Sequence, residues 1–240
     1  MTFLMPDSKF TSAEEKSNFD KSEYQTPKVL SMGQAISDNP LEVRLLDMLG
    51  ALAMLVLFGP LMIIVALAIF VANPGPIFFK QKRIGQYGKP FYCYKFRTMA
   101  VDAEARLEAL LRNCPASRAE WARDHKLRND PRIVGIGRFL RKSSFDELPQ
   151  IFNVLKGEMS LVGPRPIVAD ECKKYGRYIS HYCSVRPGIT GLWQVSGRND
   201  VHYRRRVAFD VLYARKSGLQ DYLRILFMTV PSVLASRGSY

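Results

Sequence analysis

Met48 to Ala72 (MLGALAMLVLFGPLMIIVALAIFVA) runs for 25 residues without one charged side chain. As a straight helix it would extend about 37 Å, against a bilayer hydrocarbon core of roughly 30 Å. A water-soluble domain of this size does not comfortably hide a helix that is apolar on every face, so the run reads as a membrane segment. Gly59-Pro60 falls at its middle. Pro60 lacks an amide donor and its ring clashes with the preceding turn, so a kink is expected there. Two topologies fit: one kinked span, or two short arms that enter and leave by the same face. Spacing alone favours the span. Lysine and arginine counts put the C-terminal body in the cytoplasm either way.

Charge is placed unevenly. Residues 1–47 carry eight acids and five bases, whereas the whole chain has a net charge of +13. The body after residue 47 therefore faces something anionic: nucleic acid, acidic lipid or a phosphorylated substrate. Residues 1–40 are polar and lack apolar periodicity, and they read as a disordered tail with no cleavable signal peptide. Cys93, Cys114, Cys172 and Cys183 form no CxxC pair. Cys172, His181 and Cys183 are poorly spaced for zinc, and free thiols are the plainer reading.

Beyond Asn73-Pro74-Gly75-Pro76, which ends the apolar run, Ile77–Phe79 and Phe91–Phe96 read as strands of a hairpin turned at Gly85–Pro90. Asp102–Arg112 and Ser117–Arg128 have helical composition, interrupted by Pro115. Leu148, Ile151, Phe152 and Leu155 mark a short amphipathic helix over Pro149–Lys156, with Gly157 as its stop. Asp221–Ala235 has one apolar face, fit for the core or the membrane interface.

No GxxxxGK[ST], GxGxxG, HExxH or GxSxG occurs, which leaves P-loop hydrolysis, hydride transfer and serine-triad chemistry poorly supported. Two carboxylate pairs stand out, Asp146-Glu147 and Asp170-Glu171. A solvated helical face explains the second. Asp146 precedes the short helix, so helix capping is the plain reading and catalysis the sharper one. A carboxylate there can do both, since a helix start also favours anions. Glu147 adds a hard oxygen ligand of the kind Mg2+ on a diphosphate uses. Lys95 and Arg97 flank Phe96, Arg165 lies between Pro164 and Pro166, and Arg198 follows Gly197. Arginine on a stiffened backbone suits bidentate phosphate contact.

These blocks, in order, match a known pattern. Lys95-Phe96-Arg97-Thr98-Met99, Arg141 through Gln150 (RKSSFDELPQ), Asn153 through Ser160 (NVLKGEMS), Gly163-Pro164-Arg165-Pro166, Arg186 through Gly191 (RPGITG) and Gln194 through Arg198 (QVSGR) resemble the bacterial sugar transferases, the monotopic polyprenyl-phosphate phosphoglycosyl transferases. The likeness runs from about Arg44 to Leu223, nearest to members that start exopolysaccharide repeat units. It implies transfer of a sugar-phosphate from a UDP-sugar, galactose or glucose, to undecaprenyl phosphate with release of UMP. It implies that Asp146 is a nucleophile forming a covalent sugar-phosphate intermediate, and that Glu147 binds Mg2+. Arg141 and Arg165 match positions near the phosphates, Lys95 and Arg97 belong to another block at the site, and Asp210 matches a further acidic position. Arg198 joins the substrate-binding set.

The resemblance also reverses the topology expectation, to a re-entrant hairpin bent at Pro60. The expected fold is α/β, mostly α, with that N-terminal membrane helix-hairpin, a small mixed catalytic domain and interfacial amphipathic helices. The expected division is a disordered tail over 1–40, the membrane helix over 41–74 and a cytoplasmic transferase domain over 75–240, on the bacterial inner membrane. Expected partners are UDP-sugar, undecaprenyl phosphate and membrane lipid, with self-association left open. Nucleic-acid binding is the rival suggested by the basic body, but no helix-turn-helix or RNP-type pattern supports it. A non-catalytic scaffold of a polysaccharide assembly complex is a third reading, against which the intact dyad argues.

Overall fold

The computed structural model describes residues 40–124, 127, 129–197, 201–216 and 218–234. Residues 1–39 of the expected tail and Arg198 of the expected substrate-binding set lie outside the described residues. The apolar run sits inside α1, Leu41–Ala72, one uninterrupted helix of 32 residues that contains Pro60. Its buried residues are Val43, Asp47 and Ala51 before the proline, and Met62, Val65 and Ile69 after it. Spacings of three, four and, across the proline, eleven (about three full turns) place them along one stripe of the helix. Both halves pack on the same body. Val43 and Ala51 join Ile151, Val154 and Leu161 in one core, while Met62, Val65 and Ile69 join Phe96 and Leu140 in another. The opposite face of the helix is exposed along its length, with Leu41 at 75%, Val56 at 73% and Val71 at 79%.

Past α1 the chain forms the expected antiparallel hairpin, β1 Phe78–Ile84 and β2 Pro90–Phe96, with a 3-10 turn at Gln86–Gly88. β1 is longer than the apolar signal at Ile77–Phe79, because its polar half (Lys80–Arg83) is paired residue by residue with β2. Helices α2, Ala103–Asn113, and α3, Pro115–Asp124, follow, with Pro115 starting the second where its missing amide is tolerated. α4 is Gly137–Ser143 and α5 is Gln150–Lys156. Gly157 ends α5 at φ 82°, the left-handed stop that glycine supplies at lowest cost.

The lower body is built on a parallel pair, β3 Ser160–Val162 and β4 Gly188–Thr190. A Cβ on Gly188 would lie 2.0 Å from the Gly163 nitrogen, so only glycine lets these backbones cross. Short helices α6 (Cys172–Tyr175), α7 (Ile179–Cys183) and α8 (Leu192–Ser196) connect to α9 (Tyr203–Lys216) and α10 (Leu219–Leu234). α10 buries Tyr222 and Ile225 inward, while Phe227 and Val230 remain exposed. The architecture is thus mostly helical, with two small two-stranded sheets and one long apolar helix.

Polar contacts fix α1 to the body. Arg44 donates to the Val154 carbonyl (2.8 Å) and the Leu155 carbonyl (3.1 Å) at the C-terminal end of α5. Asp47, fully buried, accepts at Oδ1 from the Ser160 hydroxyl (2.8 Å), the Leu161 N–H (2.8 Å) and the Tyr222 hydroxyl (2.9 Å). One oxygen therefore joins α1, β3 and α10. Asn153 does the same for the hairpin: it accepts from the Tyr94 N–H (3.1 Å) and donates to the Tyr92 carbonyl (2.7 Å).

Removing a shared acceptor should cost more than removing one donor. Tyr222→Phe deletes a single bond and should destabilise by about 1 kcal/mol, whereas Asp47→Ala strands three buried donors and should cost roughly 3 kcal/mol or more. Thermal unfolding of both variants in lipid nanodiscs checks the order. Equal losses would show that the oxygen does not act as a shared anchor.

Candidate active site

The acidic pair sits where three segments meet. α4 ends at Ser144, which takes the left-handed conformation at φ 60° and starts a 3-10 turn, Phe145–Glu147. The reversal points Asp146 and Glu147 at the inward face of the hairpin. That face follows from strand register: Phe79, Gln81 and Arg83 of β1 pair with Lys95, Cys93 and Phe91 of β2, so all six side chains emerge on one side. The third segment is the loop after β3, which carries Pro164-Arg165-Pro166.

Glu147 is the clamp. Its Oε1 accepts from Lys95 Nζ at 2.6 Å and from Arg165 Nη2 at 3.2 Å. Burial alone would push this carboxyl up, but Arg165 and Lys95 outweigh it and hold the group down at about 2. Asp146 behaves oppositely, although it is the next residue. Burial raises it to about 6; Lys95 opposes this only from 4.0 Å, and the Glu147 charge adds to the rise. Adjacent carboxylates are thus driven apart, one locked in its ionised form and one near neutrality, a separation of the kind that assigns different tasks to paired acids.

Arg141 lies on α4 with its Nε donating to the Thr98 hydroxyl (2.8 Å), and its charge reaches both Asp146 and Asp130. Arg97 is directed elsewhere: its Nη2 donates to the Asn73 carbonyl at the end of α1, so it fastens the membrane helix to β2. Asp210 is also apart from the dyad. It is buried on α9, accepts from the Tyr175 hydroxyl at 2.7 Å and is raised by burial to about 7. Tyr175 packs edge-on against Tyr182, whose hydroxyl donates to the Ile84 carbonyl (2.7 Å) and accepts from the Ile167 N–H (3.2 Å). Asp210 therefore supports the loop that carries Arg165 from behind. The capping expectation for Asp146 is not met: α5 begins at Gln150 behind Pro149, with no side-chain cap bond.

A cleft runs beside the dyad, lined by Lys95, Glu147 and Arg165 and also by Arg83, Cys93, Gln150 and Gly188. Arg83 was visible in sequence only as a charge following the membrane run. The available signal was parity, since Arg83 falls two and four residues after Gln81 and Phe79 on the face that carries Lys95. Among the described residues no three His, Cys, Asp or Glu side chains converge as a metal cage.

Comparison with known proteins agrees with this geometry. The family model described as bacterial sugar transferase matches residues 39–236. The chain is 49% identical over 197 residues to the undecaprenyl-phosphate galactose phosphotransferase of Salmonella typhimurium, covering 82% of this chain and 41% of that protein. It is 47% identical over 197 residues to the exopolysaccharide production protein ExoY of Rhizobium meliloti, covering 82% and 87% respectively. It is 39% identical over 199 residues to the UDP-glucose:undecaprenyl-phosphate glucose-1-phosphate transferase of Xanthomonas campestris pv. campestris, covering 79% and 38%. Against the Salmonella and Xanthomonas proteins the chain thus spans about two-fifths of the relative's length. With the family model covering most of its length, the chain belongs to the bacterial sugar transferase family.

Proposed function

We propose that this protein moves a sugar-1-phosphate from a UDP-sugar to undecaprenyl phosphate, releasing UMP, as the first membrane step of exopolysaccharide synthesis. Galactose and glucose, the sugars in the relatives' names, are the leading donors. The observation that carries the reading is the split dyad: Asp146 near neutrality beside Glu147 held at about 2, between Lys95 and Arg165.

In the first step an Asp146 carboxylate oxygen bonds to the sugar-bearing phosphorus. The bond from that phosphorus to the bridging oxygen breaks, and UMP leaves with the electron pair. In the second, an oxygen of undecaprenyl phosphate attacks the same phosphorus and the Asp146 carboxylate departs. A carboxylate is a usable nucleophile here because burial strips it of water and lifts its basicity. Lys95, Arg141 and Arg165 offset the charge that gathers as two anions meet. Mg2+ bound through Glu147 would neutralise diphosphate charge further.

The reading places the protein on the cytoplasmic face of the inner membrane, with α1 re-entrant rather than spanning. Its support is that both halves of α1, before and after Pro60, pack on one body. A helix crossing the bilayer would carry its second half away from that body. Single cysteines at Phe10 and Val230, in a background without other reactive thiols, should both be shielded from an impermeant reagent in intact cells. Labelling at Phe10 alone would establish a span.

Asp146→Asn should abolish turnover and leave membrane association unchanged. With UDP-sugar and Mg2+ but no acceptor, the wild-type Asp146 peptide should gain one sugar-phosphate mass; UMP release without this adduct under rapid quench would exclude the covalent route. Because the nucleophile must be ionised, kcat/KM should fall about tenfold per pH unit below about 6.

The same carboxyl makes a stability prediction. Its folded-state value lies above its ordinary one, so the stability it contributes is present in acid and lost as pH rises through about 6. At pH 7.5 in Mg2+-free buffer the ionised group costs on the order of 3 kcal/mol, and Asp146→Asn should melt higher than wild type. Below pH 4 that advantage should vanish. An equal gain at both pH values would mean the carboxyl is not perturbed by burial.

A further inference from the structure

The cleft has a direction. Phe96 ends β2 among Met62, Val65 and Ile69 of α1, so this end of the hairpin lies against the membrane helix. Phe78, paired with Phe96, begins β1 at the same end, and Arg83 is five residues further on, paired with Phe91. Lys95 pairs with Phe79. Lys95 lies 4.0 Å from Asp146, and at about 3.3 Å per residue Arg83 stands about 13 Å farther along the strand than Lys95 does. Both line one cleft, with Glu147 and Arg165. In the transfer proposed above, the leaving phosphate lies in line with and opposite the attacking Asp146 oxygen, on the side of the cleft away from the Lys95 end.

Arg83 is set for an anion. Its side chain is only 16% exposed and is aligned by a bond from Nη1 to the Pro166 carbonyl (3.0 Å) and one from Nη2 to Gln81 Oε1 (2.5 Å). Those bonds use two of the five guanidinium N–H donors and leave the fork partly open. The nearest carboxylate, Glu171, is 3.8 Å away, and the neighbouring cation is Arg165. Glu147, which pairs Lys95 and Arg165, makes no bond to Arg83. Beside Arg165, and with its ion pair to Glu171 stretched to 3.8 Å, the Arg83 guanidinium gains from a ligand that brings negative charge to it.

We infer that Arg83 binds the nucleotide-side phosphate of the donor, and the UMP that this phosphate becomes. The assignment rests on the transfer reaction proposed above and adds to it a residue that holds the leaving nucleotide. The competing role is structural, with Arg83 acting only as a strut for Pro166.

Half-reactions in nanodiscs separate the two. For Arg83→Gln, the UDP-sugar concentration giving half-maximal adduct formation should rise about tenfold or more, the range expected for losing a charge-assisted bond. Discharge of a preformed, UMP-free adduct by undecaprenyl phosphate should stay within about twofold of wild type, and Arg83→Lys should recover part of the donor affinity. Equal slowing of both half-reactions, or unchanged loading, would overturn the assignment. Direct titration with UMP alone keeps this test apart from the covalent mechanism. Wild type binding UMP at least about tenfold more tightly than Arg83→Gln supports the inference even if no adduct forms, whereas equal UMP binding refutes it even if one does.

Discussion

One carboxylate oxygen organises the catalytic half of this molecule. Glu147 Oε1 takes bonds from a strand residue, Lys95, and from a loop residue, Arg165, and so ties the hairpin, the 3-10 turn and the loop after β3 into one wall. Without that tie the two cations would repel each other across an empty cleft. With it they are fixed near a second carboxylate that they only partly compensate. The raised Asp146 and the depressed Glu147 are therefore one arrangement, because the cations that satisfy Glu147 are committed to it and reach Asp146 only at longer range.

A site that holds a partly uncompensated buried acid is a local cost, and other parts of the fold offset it with dense packing and shared polar contacts. The tight crossing of Gly163 and Gly188 brings β3 and β4 together. Asp47 joins three elements through one oxygen, and the Tyr182 hydroxyl both donates to β1 and accepts from the loop behind Arg165. Asp210 belongs to this supporting layer. It holds Tyr175, Tyr175 packs on Tyr182, and Tyr182 fixes Ile167, two residues from Arg165. A change at Asp210 would therefore reach Arg165 through backbone placement.

What the sequence revealed follows from the range of each signal. The uncharged run, the hairpin and the α5 stop at Gly157 are local patterns, and each appears close to where it was expected. The dyad stood out because two carboxylates lie among bases. Side-chain direction was harder. Lys95 and Arg97 look equivalent on either side of Phe96, but strand parity cannot show that Arg97 turns to the end of α1 while Lys95 faces Glu147. β3 and β4 are three residues each, fully or nearly buried and 28 positions apart at Ser160 and Gly188, so they carry no alternation to detect. Arg83 is hidden in the sequence because nothing there separates it from the neighbouring charges Lys80 and Lys82.

The long helix gives the site its orientation. Were α1 only a tether, its buried stripe would end where the membrane begins; instead the stripe resumes beyond Pro60 and packs against Phe96, the residue next to Lys95. Anchor and catalytic strand are therefore one rigid unit, joined again by Arg97 at the Asn73 carbonyl. For the lipid-borne phosphate of the proposed reaction, confined to a thin layer at the bilayer surface, a site fixed to α1 would need to search only in two dimensions, which removes orientational freedom before the reacting groups meet.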